Sequence, residues 1–76
     1  MITEHASVIL TENIPSVGLE AGDVGVVVHI YRDGEAYEVE FMALDGRTLT
    51  VETLAAPQVR EARSMDIPHV RERIAA

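Results

Sequence analysis

Two Asp-Gly pairs, at 33–34 and 45–46, constrain the fold of this chain more than any other feature. An Asp-Gly pair between two alternating apolar runs is a strong indication of a β-hairpin, because tight hairpin turns need left-handed backbone that glycine adopts without strain. Both pairs lie between segments rich in β-branched residues. The sequence therefore predicts a three-stranded antiparallel meander, with strands over residues 24–31, 36–42 and 48–54.

The middle strand of this meander has the clearest alternation. Tyr37, Val39 and Phe41 share one face, since successive side chains of a strand point to opposite sides, and they are predicted to lie in the core. Glu38 and Glu40 share the other face, which is predicted to contact solvent because ionised carboxylates are costly to bury. This pattern is typical of a half-buried antiparallel strand.

The first strand of the meander is apolar on both faces. The face predicted to pack in the core carries Val24, Val26, Val28 and Ile30. The opposite face carries Gly25, Val27, His29 and Tyr31. Gly25 is predicted to allow close approach of neighbouring backbone. This second face needs a cover, since contiguous exposed apolar patches usually mark contact sites. In the third strand, Leu49 and Val51 are predicted to face inward.

Two short strands and a single turn complete the predicted domain over residues 1–63. They are a first strand at 7–11, a helical turn at 55–58 and a last strand at 58–61, with a long loop over residues 12–22.

The tail, residues 64–76, differs in character from the domain before it. Asp66 can cap a helix whose first turn includes Pro68, where the missing N–H costs nothing. An amphipathic i, i+3, i+7 spacing is formed by Ile67, Val70 and Ile74. The sequence therefore predicts a short C-terminal helical tail, too short to be stable without a docking surface.

The order of these elements is that of an SH3-like five-stranded small barrel, an all-β fold. Within that class, the chain resembles a bacterial family of small proteins that carry a domain of unknown function. The matching segments are "GLEAGDVGVVVH" at 18–29 and "AYEVEF" at 36–41. The resemblance covers about residues 7–61 and implies the barrel fold, but no activity, cofactor or partner.

The net charge indicates which classes of partner are expected. The net charge is −7, with no lysine, and residues 1–59 hold two arginines against ten acids. Nucleic-acid affinity depends on neutralising phosphates with arginine and lysine, so neither nucleic acid nor an anionic membrane surface is expected as a partner. No apolar run approaches the roughly 20 residues that span a bilayer, and the start of the chain lacks a signal-peptide pattern. We expect a cytoplasmic protein.

Residues that could catalyse a reaction or bind a metal are few. There is no cysteine, and the three histidines lack the helical spacing of ligand pairs. His29 could share a zinc site with Glu38 or Glu40 only if strand register brought them together. No nucleophile or phosphate-loop motif occurs. The sequence therefore predicts no enzyme and no catalytic, metal or cofactor site.

These observations favour a non-enzymatic protein–protein interaction or assembly module that self-associates, which is a common source of stability for a domain of 76 residues. The predicted contact residues are Val27, His29, Tyr31, Ile67, Val70 and Ile74. The tail could dock on its own domain or on a second copy, with its arginines meeting the acids of the body.

Two other functions fit the sequence. An acidic, antitoxin-like or accessory protein that neutralises a basic partner would use charge complementarity to speed association. An RNA-binding barrel is the weaker hypothesis. Residues 22–28 resemble the Gly-Asp-valine signature of ribosomal and transcription-factor barrels, but no basic residue lies before Arg32.

Overall fold

In the computed structural model, which describes residues 2–73, the chain forms an antiparallel sheet with the strand order β4-β3-β2-β1-β5. The strands are β1 (Ser7–Leu10), β2 (Val24–Tyr31), β3 (Ala36–Met42), β4 (Thr48–Ala55) and β5 (Val59–Glu61). Two short 3-10 helices span Pro15–Val17 and Ala56–Gln58. The all-β class, the meander and the helical turn before the last strand are confirmed. No helix among the described residues is long and apolar enough to cross a membrane.

The core contains side chains from all five strands and from the long loop. Its buried members are Val8, Leu10, Leu19, Val27, Tyr37, Val39, Phe41, Leu54 and Val59. The inward face predicted for β3 is therefore confirmed. Leu19 shows that the loop between β1 and β2 is part of the packed domain.

A β-bulge in the middle of β2 changes which of its faces is inward. Val27 pairs with Val39, and His29 pairs with Glu38, so Val28 is an extra residue between two successive pairs. An extra residue reverses the alternation of a strand beyond it, because side chains alternate with a period of two.

The predicted inner face of β2 is therefore wrong for Val24, Val26 and Val28 and confirmed for Ile30. Before the bulge, Gly25 and Val27 face the core and Val24 is exposed. After the bulge, Ile30 packs against the core and Val28 is exposed. Alternation could not decide between the two faces because valines occupy both.

Gly25 explains why the face of β2 that carries Gly25 and Val27 lies against the core side chains of β3. A Cβ atom at position 25 would lie 2.4 Å from Cγ1 of Val39 and 3.0 Å from Cε1 of Phe41. It would also lie 3.1 Å from the carbonyl oxygen of Glu40. The predicted close approach at Gly25 is confirmed.

The prediction for β4 is also wrong, because the face opposite Leu49 and Val51 lies toward the core. Leu54, Glu52 and Thr50 lie opposite the three core residues of β3, and directly opposed residues point to the same face. Leu49 and Val51 therefore face outward, and Val51 is 46% exposed.

The predicted helix is absent from the described part of the tail, residues 62–73, which contains a turn at 64–65 and no other regular structure. Asp66 stabilises this turn instead of capping a helix. Its carboxylate accepts a hydrogen bond of 2.7 Å from the backbone N–H of Arg63, and its own N–H donates to the Arg63 carbonyl at 3.0 Å. An isolated helix of two turns is marginal in water, so local contacts of this kind can replace it.

Candidate functional site

The contact residues predicted on β2 do not share one surface. Val27 is fully buried, so its predicted position on an exposed face is wrong. Because the bulge lies between Val27 and His29, Val27 faces the core while His29 faces outward. His29 and Tyr31 are exposed neighbours, and their rings meet edge to face with centroids 4.5 Å apart. Their role in binding stays a prediction.

The side of β2, β3 and β4 opposite the core forms a mixed apolar and acidic surface, which we call the outer face. It consists of Val24, Val26, His29, Glu38, Glu40, Met42, Leu49, Val51 and Thr53. One row across the three strands runs Val26, Glu40, Val51, and the next runs His29, Glu38, Thr53. Met42 and Val51 are each 46% exposed, so the outer face presents apolar surface to solvent.

Glu38 and Glu40 lie on the middle strand of the outer face and are half-buried. Glu38 accepts a hydrogen bond of 2.5 Å from the hydroxyl of Thr53, and Glu40 accepts one from the hydroxyl of Thr48. The ion pairs formed among residues 2–73 involve other carboxylates. Each of the two glutamates therefore has acceptor capacity left for a donor from outside, since a carboxylate offers about four lone-pair sites.

The tail returns to the loop between β1 and β2, where it is held by Arg71. The guanidinium group donates to both carboxylate oxygens of Asp23, with Nε 3.0 Å from Oδ1. It also donates to the Gly18 carbonyl at 3.0 Å and lies 3.6 Å from the carboxylate of Glu20. Hydrogen bonding to Asp23 raises the pKa of Arg71.

Arg73 adds a second anchor, because it donates to the Val17 carbonyl from Nη2 at 2.8 Å and from Nε at 3.2 Å. The apolar side chains of the tail are not docked: Ile67 is 90% exposed and Val70 is 77% exposed. The third predicted residue, Ile74, lies outside the described residues. The described part of the tail thus docks through its arginines and not through Ile67 or Val70.

An ion pair between Arg60 and Asp66 holds the start of the tail. Two hydrogen bonds join the guanidinium and the carboxylate, at 2.9 and 3.0 Å. These bonds, with the N–H of Arg63, lower the pKa of Asp66 to about 2. The described part of the tail is therefore attached at two places, by Arg60 to Asp66 near β5 and by Arg71 to Asp23 at the loop.

The tail and one end of the outer face enclose a groove of about 660 Å³. Its apolar walls include Val24, Val26, Met42 and Leu49 from the sheet and Pro68 and Val70 from the tail. Glu40 also lines the groove, so an apolar ligand bound there would meet a carboxylate. Because Arg47, Arg71 and Arg73 line it as well, the groove can accept a chain segment that combines apolar side chains with groups of either charge.

A scan against protein families matches residues 4–61 to a domain of unknown function, DUF4926. The chain belongs to this family. No curated protein and no solved structure matches the chain. The expected membership of a family of unknown function is confirmed. The DUF4926 match includes all five strands and ends at Glu61, so the outer face lies within it and the described tail lies beyond it.

In this DUF4926 domain, Met42, Leu49 and Val51 are outer-face residues that the sequence did not identify. Met42 follows Glu38 and Glu40 in the alternation of β3. The exposure of Leu49 and Val51 depends on the register between β3 and β4, which contains an irregularity between Phe41 and Met42. A shift of one residue moves every side chain of a strand to the opposite face. The alternation of β3 could have revealed Met42, whereas Leu49 and Val51 required the register of the hairpin at 45–46.

Proposed function

We propose that this protein is a non-enzymatic protein–protein interaction module, built on an SH3-like barrel, whose contact surface is the outer face. Two observations support the barrel. The strand order β4-β3-β2-β1-β5 joins the first and last strands of the chain, and a 3-10 helix at Ala56–Gln58 connects β4 to β5. This is the arrangement expected of a small barrel that closes five short strands around one core.

The exposed apolar side chains of the outer face are the observation on which the proposal depends. The solvent side of an antiparallel sheet is usually polar. Here Met42, Leu49 and Val51 stand together on it, next to β4, which pairs with β3 on one side and forms an edge of the sheet. Contiguous apolar surface and a strand edge both favour contact with another chain.

The proposal contains no catalytic step. Glu38 and Glu40 accept hydrogen bonds from threonine hydroxyls on an open sheet surface, and in the proposal they serve as contact groups.

Self-association stays a prediction of this proposal, although its structural basis changes. Val27 is buried, and the described tail docks on its own domain. A second copy would therefore have to bind through the edge of β4 or through the exposed His29 and Tyr31. Sedimentation velocity and light scattering at high micromolar concentration test this form of the proposal, and a monomer at all concentrations would exclude it.

Site-specific photo-crosslinking tests the interaction module itself. A benzophenone amino acid replaces Val51 on the outer face in one protein and the exposed Glu4 in a matched control, and both are illuminated in cells of the source organism. We expect discrete crosslinked adducts from position 51, with a second copy or another protein, and not from position 4. No adduct at position 51, or the same adducts at both positions, would refute the outer face as the contact surface.

A further inference from the structure

We infer that the outer face binds an extended segment of another protein that carries arginine or lysine at positions i and i+2 and an apolar residue at i+4. This inference rests on the proposed function and adds the chemistry of the partner. It follows from the order of side chains along β3, where Glu38, Glu40 and Met42 point outward one after another.

The spacing of these three side chains matches an extended chain. Alternate residues of a strand are about 7 Å apart, so Glu38, Glu40 and Met42 repeat at the interval of same-side residues in a partner lying along β3. Two basic side chains would meet the two carboxylates, and an apolar side chain would meet Met42. Arginine suits this role because its guanidinium group pairs with a carboxylate through two parallel hydrogen bonds.

The apolar neighbours of Glu40 would strengthen an ion pair between Glu40 and a basic side chain of the partner. Val26 and Val51 flank Glu40 in the same row across the sheet. The aliphatic part of an arginine or lysine side chain can pack on such apolar neighbours while its charged end reaches the carboxylate. An ion pair formed there would be less exposed to water and salt than one on a polar surface.

The charge of the molecule argues against two copies packed outer face to outer face. Two outer faces placed together would oppose the same carboxylates, and each copy has a net charge of −7. Four of the six arginines already donate to groups of their own chain: Arg47, Arg60, Arg71 and Arg73. A basic partner, by contrast, supplies the charges that Glu38 and Glu40 lack.

The tail provides an example of the same recognition within the chain. Arg71 comes from a segment without regular structure and makes a two-pronged contact with Asp23, while Val70 beside it stays exposed. The acidic domain therefore already binds arginine from an irregular segment. The outer face offers two further carboxylates in a setting with more apolar surface.

Two synthetic peptides test the inference on the full chain. One has the sequence Thr-Arg-Thr-Arg-Thr-Leu-Thr with blocked ends, and the other replaces both arginines by citrulline, which has nearly the same shape without the charge. Nuclear magnetic resonance titration gives both the affinity and the amide groups that shift. We expect shifts on β2, β3 and β4, and at least roughly tenfold tighter binding of the arginine peptide, which is the effect of about 1.4 kcal/mol.

Two variants with equal charge supply the control. Glu38→Gln/Glu40→Gln is expected to weaken binding of the arginine peptide by roughly tenfold or more. Glu4→Gln/Glu35→Gln removes the same charge from exposed positions elsewhere and should bind as the natural chain does. Thermal unfolding measurements on both variants test whether they are folded.

Several results would overturn the inference: equal affinity for the two peptides, equal weakening in the two variants, shifts confined to the loop that holds Arg71, or no binding at millimolar peptide. These results are distinct from failure of the proposed function. A crosslinked protein at position 51 without any preference for arginine leaves the interaction module and removes only the basic partner.

Discussion

Replacing Gly25 by alanine is expected to destabilise this domain, although the same substitution usually stabilises a strand. Alanine has fewer unfolded conformations than glycine, which favours folding by about 0.4–1 kcal/mol where the backbone accepts it. Gly25 is not among the residues with positive φ, so its backbone accepts alanine. The sign of the effect therefore depends on the space around the new methyl group.

That space is already occupied. The methyl carbon would lie 2.4 Å from Cγ1 of Val39, 3.0 Å from Cε1 of Phe41 and 3.1 Å from the carbonyl oxygen of Glu40. Val39 and Phe41 are buried, and the carbonyl belongs to the backbone, so none of the three can rotate away into solvent. Added volume in a packed core costs about 1–3 kcal/mol. For a domain of this size, that corresponds to a fall in Tm of about 5–20 °C.

Urea and thermal unfolding of Gly25→Ala, Val39→Ala and the double variant measure the clash directly. Val39→Ala removes the closest atom, so the double variant should be more stable than the sum of the single effects by about 1 kcal/mol or more. Leu54→Ala, a core truncation that is not among the nearest contacts, should add to Gly25→Ala independently. A Gly25→Ala protein as stable as the natural one, or a cycle with Val39 that is additive within about 0.5 kcal/mol, would refute the reasoning.

Loss of Arg71 is expected to free the tail without unfolding the sheet. Arg71→Gln should speed hydrogen exchange and proteolysis of the tail by roughly tenfold. The control Arg63→Gln should not, because the side chain of Arg63 donates no hydrogen bond to a described residue. Equal effects of the two substitutions would contradict the docking. Asp66 should titrate near its pKa of about 2 by nuclear magnetic resonance. Because this pKa is lowered, the pair with Arg60 stabilises the fold above the ordinary value of 3.8, and this stabilisation is lost as pH falls toward 2. Arg60→Gln should raise the pKa only part of the way toward the ordinary value, because the backbone N–H of Arg63 still lowers it. No change in the pKa would contradict the pairing. Arg32→Asn should raise stability by about 0.5–1 kcal/mol, because position 32 has a φ of 48° that asparagine accepts with less strain; a lower Tm would contradict this.

The parts of the candidate site that could be predicted from sequence are those set by one strand. The unambiguous alternation of β3 predicts that Glu38 and Glu40 lie on the solvent side, and the structure confirms their position. Met42 continues the same alternation, whereas the exposure of Leu49 and Val51 depends on how β4 pairs with β3. The apolar side chains that β4 adds to the outer face thus follow from register, which the residues of β4 do not encode by themselves.

The sequence by itself determined the elements that depend on neighbouring residues. The turns at 33–34 and 45–46 follow from the Asp-Gly pairs, whose glycines have positive φ. The core positions Tyr37, Val39 and Phe41 follow from alternation along β3. These features need no information from distant parts of the chain, because they depend on backbone geometry within a few residues.

Only the tertiary structure decided the face of β2 and the path of the tail. Valines on both sides of β2 make either face suitable for a core, and the choice depends on Gly25 fitting against β3 and on the bulge at Val28. The tail has helical spacing, yet Arg71 finds Asp23, 48 positions earlier in the chain. Contacts between such distant residues form only when the sheet has brought them together, and here they outweigh the weak helical preference of a two-turn segment.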